Sequence, residues 1–132
     1  MQFASSICVE ISAGELIDKI TILEIKCERI TDTEKLVNVR RELEALEQAK
    51  VMSIHSTPEL VDITAQLKSI NLKLWLVEDE LRDCEARQDF GDRFIELARS
   101  VYHLNDQRSG IKRKINDFLS SRIIEEKSYT NY

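Results

Sequence analysis

Apolar residues along this chain fall into four long runs of helical period, and the first three are each preceded by side chains able to start a helix. Ile7, Val9 and Ile11 alternate with Cys8 and Glu10, the period of a short strand or an extended lead-in. Ser12-Ala13-Gly14-Glu15 then reads as a capping box, in which the Ser12 hydroxyl accepts from the Glu15 N–H and the Glu15 carboxylate reaches back to Ser12. A first helix is predicted over residues 13–30. Leu16, Ile20, Leu23, Cys27 and Ile30 make one seam, and Ile17, Ile22 and Ile25 widen the apolar surface. A helix apolar on more than one side belongs at the centre of a bundle or inside an oligomer.

Thr31-Asp32-Thr33-Glu34 offers a second capping box, and a helix follows to about Ser53 with Leu36, Val39, Leu43 and Leu46 at steps of three and four. Val51, Met52 and Ile54 extend its apolar end. Ser56-Thr57-Pro58-Glu59 supplies an N-cap, a first-turn proline and an early acid, and so starts a third helix. Leu60, Ile63, Leu67, Ile70, Leu74, Val77, Leu81 and Cys84 alternate steps of three and four without a break, a coiled-coil-like seam. After a turn at Gln88–Asp92 the rhythm resumes with Phe90, Phe94, Leu97, Val101, Leu104, Arg108, Ile111, Ile115 and Phe118. Two long seams joined by so short a connection fold back antiparallel. The expected fold is all-α: an antiparallel helical bundle of about four helices in two hairpins, forming one domain over residues 1–132. Residues 1–11 form its lead-in, 12–119 its bundle and 120–132 its tail. That tail loses periodicity, so it is either docked in extended form, for example paired with the lead-in, or disordered.

Composition narrows the class. Three glycines and one proline are too few for an all-β fold, and 33% charged residues imply a heavily charged surface. A formal net charge of −5 disfavours nucleic acid and anionic membranes, both of which select for Lys and Arg. No run approaches the roughly 20 apolar residues of a spanning helix. Met1–Ser6 lacks the basic and apolar regions of a secretory leader. Cys8, Cys27 and Cys84 have no CxxC spacing and read as reduced thiols, which suits a cytoplasmic protein.

Arg108 is the most informative single residue. It occupies a seam position, and a buried guanidinium needs a carboxylate, several carbonyls or an anionic ligand. Folding the hairpin about Gln88–Phe90 sets Ile70 opposite Arg108 and brings Asn71, Trp75 and Asn105 close. The plainer reading is a buried polar layer that fixes register. The functional reading is a pocket for an anionic small molecule. Lys112-Arg113-Lys114 points in three directions on a helix. Glu78–Arg82 and Asp83–Arg87 have the spacing of solvated ion pairs. Neither His55 nor His103 has metal-ligand spacing, and no Gly-rich phosphate loop or nucleophile motif occurs, so no catalytic residue, metal or cofactor is expected.

The segment Ile11–Lys26 resembles the opening of a small bacterial family of uncharacterised helical proteins. Leu74-Trp75, Glu78-Asp79, Val101-Tyr102, Asn105-Asp106, Arg108, Lys112-Arg113, Ile115-Asn116 and Glu126-Lys127-Ser128-Tyr129 extend the likeness over nearly the whole chain. The resemblance implies no chemistry, only an association with surface-glycan and glycosyltransferase genes. It also draws Glu15, Asp18 and Lys19 toward the Asn71–Arg108 layer, as groups that neutralise Arg108 or complete a ligand site with Lys112. This chain has Ala13 where that family usually has proline. Glu15–Ile30 also loosely resembles the first helix of small chorismate mutases, with Arg29 and Lys35 in the place of carboxylate clamps. That fold leads with a much longer helix, and its downstream acidic and Gln pattern is missing. The leading expectation is a non-catalytic interaction protein that forms a homo-oligomer, specifically a dimer. The alternative is a binder or enzyme for an anionic small molecule such as a sugar nucleotide.

Overall fold

A computed structural model describes residues 6–132; the readings that fall on residues 1–5, part of the lead-in and of the leader segment, lie outside them. Four helices follow in order: α1 Ala13–Arg29, α2 Thr33–Ser53, α3 Pro58–Ala86 and α4 Asp92–Phe118. The predicted helices are all present, with starts and ends within about two residues. Among the described residues there is no strand, and Ile7 and Val9 lie exposed in an extended segment. Alternation without a partner strand leaves backbone groups to water, so the period-two pattern does not become a sheet.

The helix starts show which predicted caps operate. Ser12 accepts from the Glu15 N–H at 3.1 Å, as the capping box requires. Its other half does not close toward Ser12, because the Glu15 carboxylate is drawn to the Lys112 ammonium at 2.7 Å. In the second box the cap is Asp32 rather than Thr31, accepting from Glu34 and Lys35. Thr57 caps α3 through the Leu60 N–H, with Pro58 in its first turn. Gln88 and Ser120, both at positive φ, close α3 and α4 with the Asp89 N–H on the Cys84 carbonyl and the Ser121 N–H on the Asn116 carbonyl. These are six-to-one bonds that end a helix sharply.

α1 is the centre. It packs against each of the other three helices, and Leu16, Ile17, Ile20, Leu23 and Ile25 are buried around its circumference. α3 and α4 form the predicted hairpin, tied across by Arg93 and Glu80 at 2.7 Å. The core joins Ile17, Leu60, Leu67 and Ile115. Both ends of the α4 seam fail: Phe90, ahead of the helix, and Phe118, at its last residue, are nearly half exposed. The predicted Glu78–Arg82 and Asp83–Arg87 pairs are likewise not closed. α2 packs against α1 alone and buries only Val39, while Leu36, Leu43 and Leu46 are half-buried. The architecture is therefore a three-helix core with α2 laid along one side of α1.

The α1 start is clamped by the end of α4. The Ala13 N–H donates to the Ser121 hydroxyl at 3.1 Å, a bond that proline could not make, and the Gly14 N–H donates to the Asn116 side-chain carbonyl at 2.6 Å. A β-carbon on Gly14 would stand 2.5 Å from the Lys112 carbonyl oxygen and 2.9 Å from Asn116 Oδ1. The nearer of these is helix backbone and cannot swing aside. Gly14→Ala is therefore expected to destabilise the fold by about 1–3 kcal/mol, despite alanine's better helix propensity, as read from urea unfolding.

Candidate functional site

Asp18, on the face of α1 turned toward α3 and α4, is completely buried. An ionised carboxylate in that position must have its oxygens filled. Arg108 on α4 supplies Nε to Oδ1 at 3.0 Å and a short Nη2 contact to Oδ2, a bidentate approach. Asn71 on α3 donates one amide hydrogen to Oδ1 and another to the Thr21 hydroxyl, both at 2.9 Å. Thr21 in turn donates to the Asp18 carbonyl at 2.8 Å. The carboxylate also holds the Arg108 guanidinium above its ordinary pKa. Arg108 thus meets a protein carboxylate, and the seam position becomes part of an internal polar layer spanning three helices.

One turn further along α4, Lys112 is buried with its ammonium 2.7 Å from Glu15, 3.9 Å from Asp18 and 3.4 Å from Glu125 of the tail. The tail is extended and runs back along α4. Arg113 pairs with Glu126, and the Tyr132 hydroxyl reaches Asp106 and the His103 ring. Its first turn is fastened to the lead-in by Arg122 and Glu10, a side-chain pairing and not a strand ladder. Between α4 and the tail lies a cleft of about 780 Å³.

The structure thus brings together Asp18, Asn71, Arg108, Lys112 and Glu15. Asn105 stands at the edge, 3.5 Å from Arg108 Nη1. Lys19 faces outward and approaches only Glu15, at 3.7 Å. Trp75 lines a separate groove of about 340 Å³, with Ile22, Leu74 and Glu78, on another side of Arg108. Arg29 and Lys35 are exposed and do not enter the polar layer. Sequence reasoning missed Thr21, Asn116 and Ser121 as partners, and Glu125 and Lys127 as tail contacts. A small polar residue three after Asp18 was a usable signal for Thr21; the tail offered none. No group of three or more potential metal ligands occurs among the described residues, and none of their helices is long and apolar enough to cross a membrane.

A family model described as a family of unknown function (DUF6165) matches residues 7–132. No curated protein and no solved structure matches the chain.

Two outcomes test this account of the site. Arg108→Ala leaves the Asp18 charge buried without its main partner and is expected to cost about 3–5 kcal/mol in urea unfolding. The second concerns pH. Arg122 holds the Glu10 carboxyl, and Lys127 and then Lys112 hold the Glu125 carboxyl, below the ordinary value of 4.5. Such contacts contribute fully above that value and are lost as pH falls through the lower, folded value. The tail's side-chain contacts should therefore persist at all pH values above about 4.5 and be lost as the pH falls below it, read from the NMR chemical shifts of residues 122–132.

Proposed function

The chain belongs to the DUF6165 family, whose function is unknown, and on that footing we propose that it is a non-catalytic interaction protein that self-associates as a homodimer through the outer face of α2 and supports a cytoplasmic assembly. The observation that carries this reading is the state of α2. This 21-residue helix has one neighbour, and none of its charged side chains forms an ion pair among the described residues.

Val37, Arg41, Glu44, Gln48 and Val51 recur at steps of three and four, and all are exposed. They form a stripe turned away from the half-buried seam on α1. Basic residues, Arg40 and Arg41, precede acidic ones, Glu44 and Glu47. A second copy laid antiparallel about a twofold axis near Glu44 sets Arg41 level with the partner's Glu47 position and Val37 level with Val51, with the two Glu44 side chains meeting at the axis and turning toward the flanking arginines. Arg41 and Glu47 on opposite sides of that axis make the middle of the patch self-complementary under it. The Asp18 carboxylate, the group best placed to act as a base, is meanwhile filled by Arg108 and Asn71.

Sedimentation equilibrium tests the reading. Arg41→Glu creates two symmetry-related repulsions and is expected to weaken the dimer about tenfold, and adding Glu47→Arg should restore it. A wild-type chain that stays monomeric to about 0.1 mM, an energy of association too small for assembly, overturns the reading.

A further inference from the structure

We propose that the cleft between α4 and the C-terminal tail binds a phosphorylated small molecule with a flat ring, of the nucleoside diphosphate class, its phosphates on Lys112, Lys127 and Arg108 and its ring among Tyr102, Tyr129 and Tyr132. The volume of about 780 Å³ falls within the range of small-molecule sites. Arg108, Lys112 and Lys127 line it with Asp106, which already accepts the Tyr132 hydroxyl; behind the lining, Asp18 pairs with Arg108, Glu15 with Lys112, and Glu125 with both lysines.

The cationic end has unfilled capacity. Arg108 gives Nε and Nη2 to Asp18, but Nη1 has only the 3.5 Å approach to Asn105. Glu125 sits between two ammonium groups, 3.4 Å from Lys112 and 2.8 Å from Lys127. Beside the cleft, Glu125 thus occupies a seat between two of its lining ammonium groups that suits a phosphate, which brings more charge and more acceptor oxygens. The neighbouring lysines depress its pKa, as expected of an anion held by converging cations.

The other end is aromatic. Tyr102 meets Tyr132 edge-on at 5.2 Å, and Tyr129 is 74% exposed with its ring free to stack. Lys112 and Tyr102 are ten positions apart on one helix, about 15 Å. A nucleoside diphosphate bridges those ends, whereas lone phosphate fills only one. The site lies within a single chain, so it stands or falls separately from dimer formation.

Calorimetric titration of the full chain with ADP, UDP, uridine and pyrophosphate tests the proposal. ADP or UDP should bind, with uridine and pyrophosphate each about tenfold weaker or more. Lys127→Ala and Tyr129→Ala, both at exposed tail positions, should each weaken the nucleotide about tenfold, and Glu125→Gln should strengthen it several-fold by removing the resident anion. Failure of both nucleotides to bind either wild type or Glu125→Gln overturns the site. Equal binding by wild type, Lys127→Ala and Tyr129→Ala overturns it as well. Pyrophosphate binding as tightly as the nucleotides overturns the role of the ring.

Discussion

A single ionised side chain, the Asp18 carboxylate, sits where three helices meet, and the positions of all three answer to it. Apolar packing is non-directional and tolerates a helix sliding by one turn. A buried carboxylate does not, because each oxygen must find its donors or its burial becomes prohibitive. Here the donors come from Asn71 on α3 and Arg108 on α4, with Lys112 one turn away. Sliding α1 by one turn would separate Asp18 from both helices at once. The oily seams bring the helices together, and the polar layer selects the register.

The same layer shows what the sequence made legible. Helix limits could be read because Ser12 and Thr57 cap as their spacing requires, and Pro58 fits only a helix start. Arg108 announced a buried partner because an unpaired guanidinium in a seam is too costly to be accidental. That partner was harder to read, since Asp18 lies 90 positions away and looks like any acid near a helix start. The tail was not legible. Its fixed points, Glu125 on Lys112, Glu126 on Arg113 and Tyr132 on Asp106, are side-chain pairings along an extended segment, which leave no period behind. Nor could the pattern of α2 reveal that its seam meets one helix rather than two.

The two functional readings use opposite margins of the molecule. α2 lies outside the three-helix core, its charges without ion pairs among the described residues, whereas the tail closes over α4 with cations gathered beneath it. Both margins are built on a core that the Asp18 layer holds, so substitutions at α2 or in the tail alter surfaces without opening the centre. This separation makes the surface variants interpretable in a way that core variants are not.

The clamp on α1 also bears on the order in which the chain can mature. The Ala13 and Gly14 donors wait for Ser121 and Asn116, and the Asp18 charge waits for Arg108. During synthesis these partners leave the ribosome only after nearly all of the preceding chain. Until then the Asp18 carboxylate has at most Asn71 of α3 to meet, and the start of α1 is unclamped. Of the four helices, α1 is thus the earliest in the chain and the last to be locked, since its partners lie about 90 to 110 positions further on, and contacts of such long range are slow to form.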